Sequence, residues 1–375
     1  MDLGLTEEQQ MLRDFARDFL EKECPESYVR DMEEDAAGYS PGVWGKMAEQ
    51  GWMGLIVPEQ YGGVGMGFLD LMVLIEEFGR SLVPGPFIPN CVATLGILEA
   101  ASEQQKQAWL PAIATGEQIW TLAFTEPSAR FDADGVALSA TRDGDTYVLN
   151  GTKLFIRDSH VAGRMLVVAR TNGAGEHGIS LFAVDARADG VTHSPLVTVA
   201  ADKQNAVKFE NVRVAAEDLL GAEGEGWPAF RRVARKATVL ESAYLVGLSQ
   251  MAFEVTLDYT KERQQFGVPI ATFQALQHMA ADMVTDVDAS RYITYKAAWA
   301  TAGDEAGAED DVHVAKAWVS EASRRVVARA QEMHGGIGFT RDYKIQLYFR
   351  RQKAAELAWG DAEYHRELIG QALGI

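Results

Sequence analysis

The sequence predicts an α+β chain in three parts: helical, then β-rich, then helical again. Three observations carry this. Apolar residues recur at helical spacing through the first third, and again from about residue 226 to the end. Between about 120 and 215, short β-rich runs separated by Gly, Asn and Asp take over. Strands and helices do not alternate, which argues against a doubly wound nucleotide-binding sheet.

The first helix is set by Thr6 and Gln9 at capping-box spacing, followed by Met11, Leu12, Phe15, Ala16, Phe19 and Leu20 at helical intervals. A second start is marked by Ser40 and Pro41, with Gly51 at the stop. The glycine run YGGVGMG (61–67) lacks the G-x-G-x-x-G spacing and has no βαβ unit around it. It is read as a loop before the helical FLDLMVLIEEFGR, not as a phosphate cradle. The β-rich runs are DTYVLNGTKLFI, GRMLVVART, GISLFAVD and NAVKFENVRV, and LLGAEGEGW is a glycine-rich connector.

The chain has 375 residues, 47% of them hydrophobic, enough for a large core in two or three domains. Its net charge of −19 argues against nucleic acid or an anionic membrane surface as a main partner. The two cysteines, Cys24 and Cys91, suggest neither a disulfide framework nor a metal cluster. The start MDLGLTEEQQ is acidic and polar, unlike a secretory signal, and no apolar run is long enough to cross a bilayer. The expectation is a soluble, cytoplasmic protein without membrane insertion.

Five motifs follow one another: LAFTEPSARFD (122–132), LNGTKLFI (149–156), LLGAEGEGW (219–227), YTKERQQFGVPIATFQALQHMAADM (259–283) and MHGGIGFT (333–340). With VPEQYGG near the amino terminus they span nearly the whole chain. In this order and spacing the sequence resembles the flavin-dependent acyl-CoA dehydrogenases. Its ending, FRRQKAAELAWGDAEYHRE, is similar to the branch acting on steroid side chains and alicyclic acids. The resemblance implies an N-terminal helical domain (1–120), a central β-domain of barrel or sandwich type (121–222) and a C-terminal four-helix bundle (223–375). It also implies FAD, a CoA thioester substrate, electron-transferring flavoprotein as electron acceptor, and a homotetramer or α2β2 heterotetramer.

The resemblance assigns residues as well. Arg263 corresponds to an arginine that pairs with the FAD pyrophosphate of a neighbouring subunit, a task suited to a guanidinium. Phe266 and Gln274 match further FAD contacts. Gly335 and Gly336 match a close approach of backbone to the dinucleotide, and Glu332 stands where glutamine is common. Phe124 and Thr125 match residues facing the flavin ring. Phe155 replaces a stacking tryptophan. Arg157 replaces a threonine near flavin N5; it could reach the flavin, meet a polar acyl group or turn outward. Arg130, Phe131 and Asp132 stand where many members carry GSD, so a serine that holds the CoA arm is missing.

The implied reaction is α,β-desaturation, which needs a carboxylate to take the α-proton. One usual position for it, in AWGDAE (358–363), is Trp359 here; the other, on the helix before RxxFG, is Ala237. Glu241 follows Ala237 by four residues, so on a helix it lies on the same face, one turn along. It is also the only charged side chain between Ala237 and Phe253. Three roles are open to it: the displaced base, a partner for a buried arginine, or substrate selection. Asp361 is the alternative base, although it falls two places after the usual position, where capping or ion pairing are its other readings; Glu363 and His365 read as helix surface. Ala237, Tyr244, Trp359 and Arg157 are the expected substrate-lining residues. A base moved by one turn suits a bulky, branched or cyclic acyl group. The alternatives are a non-catalytic partner subunit of a heteromeric enzyme, or a flavoenzyme with oxidase- or desulfinase-like chemistry.

Overall fold

The computed structural model describes residues 4–375. Six helices come first: α1 (Glu7–Glu23), α2 (Glu26–Glu34), α3 (Pro41–Glu49), α4 (Phe68–Ser81), α5 (Phe87–Ala100) and α6 (Glu103–Ala114). Eight strands follow: β1 (Trp120–Ala123), β2 (Ser139–Asp143), β3 (Thr146–Arg157), β4 (Arg164–Arg170), β5 (Ile179–Asp185), β6 (Val191–Leu196), β7 (Gln204–Ala215) and β8 (Leu219–Leu220). The last part holds α7 (Trp227–Glu262), a hairpin of β9 (Gln264–Gln265) and β10 (Val268–Pro269), then α8 (Gln274–Ala302), α9 (Ala308–His334), α10 (Ile345–Leu357) and α11 (Ala362–Leu373). The helical, β, helical order is as the sequence predicts. Two short elements were not foreseen: the connector LLGAEGEGW opens with β8, and the last part is interrupted by the β9–β10 hairpin.

The chain condenses into two compact units that cut across this order. One takes the chain up to Asp31, Phe68–Val83 and Arg235–Ile375; the other takes Met32–Gly67 and Pro84–Ala234.

In the first unit α9 is central, packed on α8, α10 and α11. Its buried stripe is Val312, Ala315, Val319, Ala322, Val326 and Ala330, spaced three or four apart so that one face meets its neighbours. The capping box at Thr6 and Gln9 forms as its spacing requires, and α1 packs on α4. Helices α4 and α7 touch backbone to backbone. A Cβ added to Gly79 would lie 2.0 Å from the Tyr244 carbonyl oxygen, and one added to Gly247 would lie 1.8 Å from that of Glu76. Only glycine permits this approach. It also fixes the rotation of α7 about its axis.

In the second unit the strands form one sheet in the order β6-β7-β3-β2-β4-β5-β8, with β1 paired in parallel to β4. Every residue of β4 between its two terminal arginines is buried, as is β5 up to Val184, the pattern of strands covered on both faces. Helix α5 packs on β1 and β4, and α6 on α5. The 61–67 run is a loop, as expected. A Cβ on Gly63 would strike the Val57 carbonyl oxygen at 2.0 Å, so its glycine serves local packing.

Candidate active site

Helix α7 sets the carboxylate. Glu241 is 1% exposed, and Ala237 and Tyr244 are also buried on the same helix. Six residues at about 100° each place Glu241 about 120° around the helix from Gly247.

Asp361 is committed elsewhere. It is the N-cap of α11, its Oδ1 accepting from the Tyr364 N–H at 3.0 Å. The residues before it turn sharply: Trp359 has φ +62° and Gly360 φ +95°. A left-handed tryptophan is strained, and its neighbours must hold it. His365 does so, donating from Nε2 to the Trp359 carbonyl at 3.0 Å. Its Nδ1 then accepts from His313 Nδ1 at 3.0 Å. His365 was expected on the helix surface. It is 2% exposed, because α11 turns this face onto α9. Glu363 is exposed, as expected.

Burial, with Lys316 and His313 nearby, pushes the His365 imidazole down to about 3. The folded chain thus refuses a proton that the unfolded chain accepts below about pH 6.5. Stability is present above that pH and falls as pH drops toward 3, with a limiting slope of about 1.4 kcal/mol per unit. Thermal midpoints measured from pH 7 to 4 are expected to fall less steeply for His365→Gln than for the wild type.

In the sheet unit, β3 carries the other residues. A register irregularity lies between Lys153 and Ile156, and Phe155 within it has φ +58°. Alternate residues of a strand normally share a face. The left-handed step breaks the rule, so Lys153 is fully buried while Phe155 is 54% exposed. Bulges of this kind re-aim side chains. Arg157 is half-buried, and its carbonyl accepts from Thr121 Oγ1 at 2.7 Å. Phe124 is buried, with its ring centroid 4.4 Å from that of Phe230 and near Trp227 and Phe131. Thr125 is half-buried. Where the serine is missing, Arg130 and Asp132 form a bidentate pair, and Asp132 Oδ1 caps a short 3-10 turn at Gly135 N.

Lys153 and Glu126 were missed by sequence reasoning. Lys153 Nζ lies 2.7 Å from Glu126 Oε1 and 3.0 Å from the Phe124 carbonyl. Burial brings the lysine down to about 8, against the pull of Glu126. A signal was present for the lysine alone: it is the only charged residue of LNGTKLFI, whereas Glu126 sits just after β1 in a motif that also holds Arg130 and Asp132.

The remaining predicted residues are solvent-facing. Arg263 and Gln274 are exposed, and Phe266 is 93% exposed. Phe266 and Gly267 form the two-residue turn of the β9–β10 hairpin, with φ +56° and +83°, the signs of a type I′ turn. Glu332 is exposed near the end of α9. Gly335 follows with φ +62° and ψ −141°, a conformation for glycine alone.

A separate cavity of about 620 Å³ lies among α1, α4, α7 and α8, and none of the predicted site residues lines it. Its walls are ion pairs. Arg17 grips Glu77 at 2.7 and 3.0 Å, Arg80 grips Glu254, and Glu76 accepts from Arg291 at 3.1 Å and Tyr295 at 2.8 Å. These charges satisfy one another, as buried charges must.

Three family descriptions match the chain in series: the acyl-CoA dehydrogenase N-terminal domain over residues 6–117, the middle domain over 121–212 and the C-terminal domain over 224–374. The chain belongs to the acyl-CoA dehydrogenase family. Among its relatives is a probable acyl-CoA dehydrogenase, YngJ, of Bacillus subtilis strain 168, 33% identical over 100% of both chains. Another is the cyclohex-1-ene-1-carbonyl-CoA dehydrogenase of Geobacter metallireducens, 32% identical over 98% of each. The solved butyryl-CoA dehydrogenase of Megasphaera elsdenii superposes with a TM-score of 0.92 at 28% identity, covering 100% of both chains.

The chain is thus an FAD-dependent oxidoreductase of the acyl-CoA dehydrogenase type, with the family's helical, sheet and helical domains. Its own geometry fits the flavin. A Cβ on Gly335 or Gly336 would meet open space, leaving room beside that backbone. Arg263 is an exposed cation, the kind of group a pyrophosphate would need, and Phe155 is an exposed aromatic ring. No helix among the described residues is long and apolar enough to cross a membrane, and none of them forms a cluster that could hold a metal ion.

Proposed function

We propose that this acyl-CoA dehydrogenase acts on a bulky, branched or cyclic acyl-CoA, with Glu241 as the base that takes the α-proton. One observation carries the reading. Glu241 is the only charged side chain between Ala237 and Phe253, is buried, and lies one helical turn from the position, Ala237, vacated by a base. The other usual position holds Trp359, and Asp361 spends a carboxylate oxygen on capping α11.

In this reading the Glu241 carboxylate meets the α-proton of the thioester and carries it away as a carboxylic acid. Bound FAD supplies the acceptor for the β-hydrogen. Thr125 and Phe155 hold the flavin ring, and Arg263, Phe266, Gln274, Glu332, Gly335 and Gly336 hold the rest of the dinucleotide. Ala237, Tyr244 and Trp359 shape the acyl end, and Arg157 meets a polar part of the flavin or acyl group. A base displaced by one turn, about 6 Å along the helix, needs an α-carbon displaced with it, and a ring or branch does that. The kinship with a cyclohexene-carbonyl-CoA dehydrogenase supports the same choice.

The resemblance further supports electron-transferring flavoprotein as acceptor, a tetramer, functional domains at 1–120, 121–222 and 223–375, and a cytoplasmic location. The test is a panel of linear, branched, alicyclic and steroidal acyl-CoA thioesters, scored by bleaching of the flavin absorbance. Alicyclic or branched members are expected to bleach fastest. Preference for a straight chain would overturn the substrate assignment.

A further inference from the structure

Lys153 is 0% exposed, the deepest class of burial for an ammonium. Its Nζ holds the Phe124 carbonyl at 3.0 Å and Glu126 Oε1 at 2.7 Å. Glu126 also accepts from the backbone N–H of Ala137 at 3.0 Å and of Leu138 at 3.0 and 3.2 Å. Between them, the Thr125 carbonyl accepts from Leu154 N at 2.8 Å. Three consecutive residues, Phe124 to Glu126, are therefore pinned to β3 and to Ala137–Leu138.

Burying a charged pair is a poor way to gain stability, since apolar side chains of the same volume do as well or better. What this pair does is fix one peptide plane. The peptide is planar and trans, so its C=O and N–H point opposite ways. With the Phe124 carbonyl drawn inward to Lys153, the Thr125 N–H points outward, and it has no backbone acceptor among the described residues. The side chains alternate accordingly: Phe124 and Glu126 are inward at 5% exposure each, and Thr125 lies between them, half-buried.

We infer that Lys153 is a positioning residue for the flavin. Through the Phe124 carbonyl and Glu126 it aims the Thr125 N–H and hydroxyl at the isoalloxazine edge. This rests on the reading that Thr125 faces the flavin.

The test uses the full-length protein stripped of and reloaded with FAD. The decisive variant is Lys153→Met/Glu126→Gln, which removes both charges and keeps the volume; the single Lys153→Met leaves a buried carboxylate and is less apt to fold. The expected result is a folded double variant whose FAD dissociation constant rises about tenfold. Its oxidised-to-reduced flavin equilibrium should also move about tenfold, or about 30 mV for two electrons. Thr125→Val is measured alongside. If Thr125→Val shifts the flavin spectrum or potential but the folded double variant leaves affinity, spectrum and potential at wild-type values, Lys153 has no positioning role. If neither variant moves any of these, the placement of Thr125 at the flavin falls as well.

Discussion

Glu241→Gln is expected to give a yellow protein, still loaded with FAD, whose flavin is bleached by its acyl-CoA about 10²- to 10⁴-fold more slowly than in the wild type. Glutamine keeps the shape and burial of the side chain and removes only the ability to take a proton. The same variant separates catalysis from the two other roles open to Glu241. If the carboxylate serves chiefly to satisfy a buried cation, its loss costs about 3–5 kcal/mol of stability, read as a large drop in thermal midpoint. If it selects the substrate, KM changes and kcat does not. A base gives the opposite pattern, with kcat and kcat/KM falling together. Asp361→Asn is the control. Asparagine also caps helices well, so turnover and stability are expected to stay near wild type. An unchanged bleaching rate in Glu241→Gln would remove Glu241 from the chemistry.

Gly247→Ala is expected to destabilise the protein by about 3 kcal/mol or more, although helix propensity alone predicts a gain of about 1 kcal/mol. The added Cβ would sit 1.8 Å from the Glu76 carbonyl oxygen, and that oxygen belongs to the backbone of α4. No rotamer change relieves such a contact, so the two helices must separate. Gly79→Ala meets the same obstacle at the Tyr244 carbonyl oxygen, 2.0 Å away. Circular-dichroism melts give the direction, and flavin bleaching gives the functional consequence. Because this contact sets the rotation of the helix bearing Glu241, a surviving Gly247→Ala protein should turn over more slowly than its residual stability explains. A wild-type melting curve would show that α4 and α7 tolerate the separation.

The sheet unit shows why parts of the site were hard to foresee. Periodicity places Lys153 and Phe155 on one face of β3, since they are two residues apart. The irregular register and the left-handed φ at Phe155 separate them into the core and the surface. A strand pattern carries no warning of a bulge. The Lys153–Glu126 pair spans 27 residues, so neither motif alone announces its partner. His365 reads as surface because the run AEYHRE is polar. Its burial comes from α9, which turns His313 and Lys316 toward it.

The sequence by itself determined the order of helical, β and helical segments, because hydrophobic period and turn residues are local properties. It determined the cap at Thr6 and the start at Ser40, because a side-chain oxygen at the N-cap needs only the next three residues. It also singled out Glu241, because an isolated charge in an apolar helix is visible as composition. The tertiary structure alone decided how the helices divide between the two compact units, since that depends on which faces find each other across long chain separations. It decided that His365 is buried, and that a lysine in the sheet holds the peptide before Thr125. Each of these depends on where distant backbone carbonyls and amides come to lie, and no local spacing encodes that.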